Sequence, residues 1–420
     1  MSRRILILVD NLPRAQFFSR FRSVLNEAAI EHAFLCYKRS SFKFLQELGA
    51  KPTLLRLTSD DRSLSINEDV CRRSLDVLRG DISLRTAVRN ARRIVPALKR
   101  QLDAINPETV FIWNGSQLVE RLLGEVLPAE VTRRYFEIAN IPGKMFVDPE
   151  GVNAASSIYR DPENLAVTPA PNVKEFEVWR DEYLAEKKNA AVPQAKSAQS
   201  MPWERPLDAL ASYFGHGFYT MQLNRMASRV QGKLRTRRMV RELHNHYPAT
   251  TQKPYLFLPF QVSEDTQLLL NSDVDNLAAL QKCVDRAKEL DLGLIAKVHP
   301  AENSVSAIKS LNEAFQAASA SVEFALSTRS TTELITGARE VCTINSTVGL
   351  EALIIGKPLT VLGRALFVHF VDRPELLRTY LLRYLIDMDY FGAKPITQQA
   401  LNAILERRAL ASERKAGIVR

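Results

Sequence analysis

Residues 255–300 of the chain read YLFLPFQVSEDTQLLLNSDVDNLAALQKCVDRAKELDLGLIAKVHP, and this stretch decides the fold. The apolar runs Tyr255–Phe260 and Leu294–Val298 have the length of buried strands. Between them, Val274–Leu290 has the length and composition of a helix. Because parallel strands need a crossover of this kind, the stretch predicts a βαβ unit in a parallel sheet covered by helices.

The same alternation of strands and helices extends along most of the chain. Towards the C-terminus, the pattern predicts a helix near Val305–Ala318, a strand at Val341–Ile344, a helix at Val348–Ile355 and a strand at Leu359–Leu362. The N-terminal part has predicted strands at Ile5–Val9, Ala33–Tyr37, Thr53–Leu57, Val110–Trp113 and Arg134–Ile138, and a helix at Phe17–Ala29. Two such series predict an α/β protein of the GT-B-like class, with two doubly wound, Rossmann-like domains facing each other across a cleft.

A change in composition separates the two series. From about 166 to 203 the chain is rich in Pro, Ala, Lys and Gln, which is typical of a surface linker. We therefore expect a Rossmann-like domain at 1–165, a linker with a basic helical segment at 166–250, a second Rossmann-like domain at 251–370 and C-terminal helices at 371–420.

The composition is typical of a folded protein of the cytoplasm. Of 420 residues, 46% are hydrophobic and 25% are charged, which suits two globular domains and excludes wholesale disorder. No apolar run approaches the length that spans a bilayer, and the apolar start lacks a cleavage site, so we expect a buried strand there rather than a signal peptide. Four cysteines without paired spacing predict reduced thiols and no structural zinc site: Cys36, Cys71, Cys283 and Cys342.

Two carboxylates follow predicted strands, where ligands of such sheets bind. Burial at an apolar strand end would raise the pKa of Glu137, which could then act as a general acid or, once ionised, as a base. The alternative is a structural glutamate bonded to the turn Gly151–Asn153. Asp265 could be a nucleophile towards an anomeric carbon, with Gln261 orienting the donor, or else Ser263 or Asp265 merely caps a short helix.

Two further segments carry groups that suit a phosphate. Lys297 and His299 end a strand, and the proline after His299 holds that residue extended. Both could reach a phosphate, although a histidine at a strand end can equally be structural. Asn345, Ser346 and Thr347 precede a predicted helix, whose free amides and dipole attract anions, or Asn345 or Ser346 simply caps that helix.

A basic stripe accompanies the net charge of +10. Its members are spaced four residues apart: Arg225, Arg229, Lys233, Arg237 and Arg241. An apolar stripe lies beside it: Leu223, Met226, Val230 and Leu234. This pattern suits the headgroups of an anionic membrane, or else it is a helix with one solvated basic face. No nucleic-acid motif accompanies the stripe, so we expect no nucleic-acid partner.

Taken in order, these segments resemble the capsule polysaccharide biosynthesis family, the KpsS/KpsC-like β-Kdo glycosyltransferases. The similarity runs from about 111 to 367. Its motifs are Phe136-Glu137, Gly151-Val-Asn-Ala-Ala-Ser-Ser157, Gln261-Val-Ser-Glu-Asp265, His299-Pro300 and Thr343-Ile-Asn-Ser-Thr347, followed by Gly356-Lys-Pro358.

The resemblance implies a retaining, metal-independent transfer of Kdo from CMP-Kdo, without a cofactor, to a lipid or glycolipid acceptor at the inner membrane surface. Asp265 would be the nucleophile and Glu137 the acid/base. The CMP phosphate and sugar carboxylate would be bound by His299, Asn345, Ser346 and Thr347. The domain at 1–165 would face the acceptor and that at 251–370 the nucleotide sugar.

Two alternatives follow from the same resemblance. The protein could use another nucleotide sugar to extend a capsule or O-antigen polymer, or it could be a non-catalytic capsule assembly or export factor. In either case the expected place is the cytoplasmic face of the inner membrane, with capsule assembly or export proteins as further partners.

Overall fold

The computed structural model describes residues 3–166, 169–189, 208, 210–212, 217–218 and 223–407. The chain forms two compact units, the first made of Met1–Leu223 with Thr379–Arg420 and the second of Asn224–Arg378. The segment expected as a linker, 166–250, is therefore shared between the units. The C-terminal segment, 371–420, belongs to the first unit from Thr379 onward.

Strands make one sheet in each unit. In chain order they are β1 (Arg4–Val9), β2 (Glu31–Cys36), β3 (Thr53–Leu54), β4 (Thr109–Trp113), β5 (Thr132–Ile138), β6 (Lys144–Asp148), β7 (Tyr255–Pro259), β8 (Gly293–Lys297), β9 (Phe324–Leu326), β10 (Glu340–Thr343), β11 (Leu359–Val361) and β12 (Ile386–Asp387). The first sheet has the order β12-β6-β5-β4-β1-β2-β3 and the second the order β11-β10-β7-β8-β9.

Helices connect and cover these strands. In chain order, those before residue 223 are α1 (Leu12–Ser19), α2 (Arg22–Glu27), α3 (Arg39–Glu47), α4 (Glu68–Arg72), α5 (Leu75–Leu78), α6 (Leu84–Ile105), α7 (Leu118–Val126), α8 (Ser157–Arg160), α9 (Glu163–Ala166) and α10 (Val173–Asn189). They are followed by α11 (Leu223–His246), α12 (Thr266–Asn271), α13 (Asn276–Glu289), α14 (Val305–Ser319), α15 (Thr331–Gly337), α16 (Val348–Ile355), α17 (Pro374–Thr379) and α18 (Gln398–Glu406).

The strands β5, β4, β1, β2 and β3 pair in parallel, and so do all strands of the second sheet. Burial on both faces explains why these strands read as continuous apolar runs in the sequence. The α/β class and the two doubly wound, Rossmann-like sheets expected from the sequence are confirmed.

The antiparallel edge of the first sheet was not expected. Strand β6 returns against β5 after a tight turn, in which Asn140 and Gly143 adopt positive φ angles of 57° and 68°. Strand β12 then pairs with β6, with Lys144 Nζ 2.5 Å from Asp387 Oδ1. Residues 371–420 were expected to be helical only. The pairing of β12 involves only two residues, which is too short for a periodic pattern in the sequence to predict. It forms through its pairing with β6 at the edge of the sheet.

The first helix begins earlier than predicted and is broken. The side chain of Asn11 accepts a hydrogen bond from the backbone of Arg14 at 3.1 Å, and so caps α1 five residues before the predicted start. The predicted single helix Phe17–Ala29 is two helices, because the chain bends at Phe21 and buries that ring completely. Tertiary burial of the ring therefore overrides a continuous helical pattern.

Candidate functional site

Each sheet has one place where the chain reverses the direction in which it adds strands. In the second sheet, β8 and β9 extend one side of β7, whereas β10 and β11 lie on the other. In the first sheet, β2 and β3 extend one side of β1, whereas β4 and β5 lie on the other. Ligands of doubly wound sheets bind outside the carboxyl ends of the strands at such switch points. Candidate sites therefore lie after β7 and β10 in the second unit, and after β1 and β4 in the first.

Two buried amides hold the second switch point together. Gln261 Nε2 donates to Asn345 Oδ1 at 2.9 Å, and the Asn345 backbone N–H donates to Gln261 Oε1 at 3.1 Å. Asn345 Nδ2 also donates to the carbonyl of Gln267 at 2.8 Å. Only 5% of Gln261 and 1% of Asn345 is exposed. Both were predicted as ligand-binding residues, and their internal hydrogen bonds give them a positioning role that joins the loops after β7 and β10.

Asp265 begins α12 as its N-cap. Its Oδ1 accepts a hydrogen bond from the backbone of Gln267 at 2.7 Å, which is the capping alternative considered from the sequence. Ser263 does not share this role, since its backbone N–H and hydroxyl both donate to Glu302 at 2.8 Å. Asp265 remains half-buried, so a cap and a reactive carboxylate are compatible at this position.

His299 is exposed and lies two residues after the end of β8. Its Nδ1 accepts a hydrogen bond from the backbone of Ala301 at 3.1 Å, which leaves the proton of the neutral ring on Nε2. Desolvation by the surrounding protein lowers the pKa of His299, against the opposing charges of Asp265 and Glu302. The ring is therefore neutral at pH 7 and offers one N–H donor.

Glu302 organises this loop and was not identified from the sequence. It is 5% exposed, and its Oε1 accepts the backbone N–H groups of Asn303 and Ser304 at 2.9 and 2.8 Å. Its Oε2 holds Ser263, and its carbonyl accepts the hydroxyl of Thr236 on α11 at 3.1 Å. The only signal in the sequence is its position three residues after His299, where it links the loops after β7 and β8.

The remaining predicted phosphate ligands differ in the hydrogen bonds that their side chains make within the protein. Lys297 Nζ donates to the carbonyl of Arg329 at 2.5 Å, and burial lowers the pKa of this lysine. Ser346 Oγ accepts the backbone N–H of Val348 at 3.3 Å at the start of α16. Thr347 occupies the N-cap position, is exposed and makes no side-chain capping bond. Its hydroxyl can therefore meet an anion at the N-terminal end of α16, where the amides of Val348 and Gly349 already donate to Ser346.

The first switch point contains a buried charge network that sequence reasoning missed. Asp10 directly follows β1 and is 1% exposed. It forms an ion pair with Arg14, accepts Gln117 Nε2 at 2.9 Å and lies 3.7 Å from Lys38 Nζ. Burial opposes ionisation, yet Arg14 and Lys38 together lower the pKa of Asp10. Only the position of Asp10 after the first apolar run could have signalled it.

Glu120 is the second carboxyl of this network. Its Oε2 accepts the backbone N–H groups of Ser116 and Gln117 at 3.0 and 3.1 Å, and its Oε1 lies 3.7 Å from Arg14 Nη1. Burial raises the pKa of Glu120 to about 8, with Arg14 opposing and the charge of Asp10 adding to the shift. Two buried carboxyls thus share one guanidinium, and at neutral pH only one of them is ionised.

Glu137 lies at the end of β5, next to this network. Its Oε2 accepts Asn114 Nδ2 at 3.3 Å. Burial raises the pKa of Tyr390, against the charge of Arg14, and the charges of Asp10 and Glu137 add to the shift, so both carboxyls act on the same phenol. The turn after β4, which carries Asn114, needs Gly115, since a Cβ there would lie 2.8 Å from the ring of Tyr135.

The structural alternative for Glu137, a bond to the turn Gly151–Asn153, stays a prediction. The turn at Gly151 is held by Asp148, whose Oδ1 accepts the backbone N–H groups of Glu150 at 2.8 Å and Gly151 at 3.2 Å. The hydroxyls of Ser157 and Tyr384 also donate to Asp148, at 2.7 and 2.8 Å. A fully buried aspartate therefore organises this motif.

The basic segment is helical, as predicted, within α11. Lys233, Arg237 and Arg241 are exposed, whereas the side chains of Arg225 and Arg229 lie outside the described residues. Leu234, from the predicted apolar stripe, is 64% exposed. The opposite face, with Leu243 7% exposed, packs into the core of the second unit.

Two Asp-x-Asp sequences, which can signal a metal site in sugar transferases, have other partners. Asp275 caps α13 by accepting Ala278 N at 2.8 Å, and Asp273 pairs with Arg364 at 2.5 Å. Asp389 accepts the backbone N–H of Phe391 at 2.9 Å. Within the described ranges, no group of three or more His, Cys, Asp or Glu side chains could hold a metal ion.

The described residues also include no helix with the length and apolar character needed to cross a membrane.

Residues 121–370 match the model of a family described as capsule polysaccharide biosynthesis protein. Protein FixF of Sinorhizobium fredii is 26% identical over 258 residues, which cover 60% of this chain and 48% of that protein. The chain thus spans about half the length of the curated relative it matches.

Solved structures with similar topology are distant. KpsC of Thermosulfurimonas dismutans, a β-Kdo 2,7 transferase, is 15% identical with a TM-score of 0.42, covering 98% of this chain and 99% of that one. UDP-GlcNAc 2-epimerase of Neisseria meningitidis is 10% identical with a TM-score of 0.28, covering 96% and 100%. TM-scores of this size are too low to assign an activity.

Proposed function

The chain belongs to the capsule polysaccharide biosynthesis family, and we propose that it is a glycosyltransferase that transfers Kdo from CMP-Kdo to a lipid or glycolipid acceptor. One observation carries the proposal. The Nε2–H of His299 and the Thr347 side chain, which makes no capping bond at the start of α16, lie after β8 and β10, the two strands that flank β7. Neighbouring strands are about 4.8 Å apart, so the ends of β8 and β10 lie roughly 10 Å from each other, a span that suits a sugar phosphate.

The donor groups suit a monophosphate leaving group. A neutral imidazole N–H, a hydroxyl and the dipole of α16 can stabilise the charge that develops on CMP, so the reaction needs no metal in this proposal. Gln261 and Asn345 position the loop that carries Thr347, and Glu302 ties the loop that carries His299 to the loop after β7.

A double displacement would account for retention. One oxygen of Asp265 bonds the Gln267 backbone, and the other would attack the anomeric carbon as its bond to the CMP oxygen breaks. Glu137 would then remove the proton of the acceptor hydroxyl, which attacks the same carbon and releases Asp265. Glu137 belongs to the first unit and Asp265 to the second, and this division of roles stays a prediction.

The acceptor is proposed to be at the cytoplasmic face of the inner membrane. The exposed cations Lys233, Arg237 and Arg241, with the exposed Leu234 among them, support peripheral attachment to anionic lipid.

The decisive experiment is transfer from CMP-Kdo to a lyso-phosphatidylglycerol acceptor, read by mass spectrometry, alongside CMP binding by calorimetry. Asp265→Asn keeps a good helix cap but removes the nucleophile, whereas Asp275→Ala removes a cap of the same kind at α13. We expect Asp265→Asn to lose transfer by at least about a thousandfold and Asp275→Ala to keep it.

The other outcomes of this experiment would point to one of the two alternative functions. CMP binding that His299→Ala weakens, without any transfer, would indicate another nucleotide sugar and a role in extending a capsule or O-antigen polymer. Neither binding nor transfer would favour a non-catalytic assembly or export factor.

A further inference from the structure

A cavity of about 650 Å³ opens in the first unit beside the edge strand β3. Its lining comes from α3, the segment around β3 and α6: Arg39, Phe42, Lys43, Gln46, Pro52, Thr53, Leu54, Arg56, Ala97, Arg100 and Gln101. Four of these residues are cations, and no carboxylate is among them. The cavity shares no residue with the switch point of the first unit.

The four cations converge from three elements. Arg39 and Lys43 are one turn apart on α3, Arg56 follows β3, and Arg100 projects from the last part of α6. All four are exposed, and within the described part of the chain none of them forms an ion pair. Like charges one helical turn apart repel each other, and a concave surface concentrates their field. A multivalent anion would relieve this repulsion.

The floor of the cavity is apolar. Phe42 and Leu54 are half-buried and Ala97 is buried, so an apolar surface lies beneath the cationic rim. Arginine binds phosphate through two parallel N–H donors, and three of the four cations are arginines. The volume lies within the range of about 300–1,000 Å³ of small-ligand sites.

We propose that this cavity is a binding site for a phosphate group, carried either by a free phosphate compound or by a lipid headgroup. The phosphate would sit among Arg39, Lys43, Arg56 and Arg100, with the attached group on Phe42 and Leu54. Phosphate binding there does not depend on the transferase activity proposed above.

The test uses the full chain at about 0.15 M salt, where surface charges are screened beyond about 8 Å. Soluble probes are inorganic pyrophosphate and glycerol 3-phosphate, measured by calorimetry. Membrane probes are phosphatidylcholine vesicles with and without phosphatidylglycerol, measured by co-sedimentation. Lys43→Gln/Arg100→Gln removes two cations of the cavity, and Arg85→Gln/Arg89→Gln removes two exposed cations from the same helix α6 outside it.

We expect the cavity variant to bind its phosphate probe at least about tenfold more weakly, because it loses two charge-assisted contacts. The Arg85/Arg89 variant should bind as the wild type does. Binding of the soluble probes identifies a free phosphate compound, and binding only of phosphatidylglycerol vesicles identifies a lipid headgroup. Equal weakening in both variants, or wild-type binding to none of the probes, would overturn the proposal.

Discussion

The two switch points occupy equivalent places in their sheets but are built from different chemistry. In the first unit, the buried polar groups are ionisable, with Asp10 and Glu120 sharing Arg14. In the second unit, they are the neutral amides of Gln261 and Asn345. Buried charges depend on one another's ionisation, whereas amides do not titrate. We therefore expect the first switch point to respond to pH and the second to be insensitive to it.

The largest expected effect is the loss of the shared cation. Arg14→Ala leaves the buried, ionised Asp10 with only the more distant Lys38 as a counter-charge, which should cost about 3–5 kcal/mol of the free energy of unfolding of the first unit. Tryptophan fluorescence in urea reports on this unit alone, since the three tryptophans all precede residue 224: Trp113, Trp179 and Trp203.

The matched control is Arg238→Ala, which also breaks an Arg–carboxylate pair at i,i+4 spacing, but on the surface with Glu242. Measured by circular dichroism, it should cost less than about 1 kcal/mol. Similar losses for Arg14→Ala and Arg238→Ala would contradict the buried-network interpretation.

The amide network should give the next largest effect. Asn345→Ala leaves buried partners on Gln261 and Gln267 unsatisfied, which should cost about 2–3 kcal/mol by circular dichroism. The loss should be the same at pH 6.5 and pH 8. Asn245→Ala, at an exposed position of α11, should change stability by less than about 0.5 kcal/mol. If the stability lost in Asn345→Ala varied with pH, the expected difference in pH response between the two switch points would be contradicted.

The titration of Glu120 gives a direct test of the pH response expected of the first switch point. Its folded-state pKa of about 8 exceeds the ordinary value of 4.5, so the folded protein holds a proton that the unfolded chain releases. The associated stability is full below pH 4.5 and is lost as the pH rises through 8. Between pH 6.5 and 8 the first unit should lose about 1.5 kcal/mol.

Glu120→Gln carries a permanently neutral side chain and should remove this loss, as measured by urea midpoints from tryptophan fluorescence at the two pH values. The lowered pKa of Asp10 places its own titration below this window. If the variant lost stability as steeply as the wild type, another group would be responsible.

The smallest expected effect concerns the cap at Asp265. Asp265→Ala should lower the stability of the second unit by about 1 kcal/mol, and Asp265→Asn should hardly change it, because asparagine caps equally well. Thermal unfolding by circular dichroism compares the two. Large and equal losses in both variants would show that the carboxylate has a structural role beyond capping.

Much of the second unit could be predicted from the sequence. Its strands are uninterrupted apolar runs because both faces of a parallel sheet are covered, and that pattern is local. The position of Asp265 as a cap was among the interpretations, since capping depends on residues two or three apart. Glu302 escaped notice because its partner Ser263 lies 39 residues away.

The sequence by itself determined the strand and helix pattern, the family motifs and the charge of α11, because these depend on neighbouring residues. Only the tertiary structure decided which strand ends meet. Gln261 and Asn345 are 84 residues apart, and Asp10 and Gln117 are 107 apart, yet strand order places each pair at one switch point. Strand order results from packing the whole chain, so the buried charge network and the amide pair appear only in the folded protein.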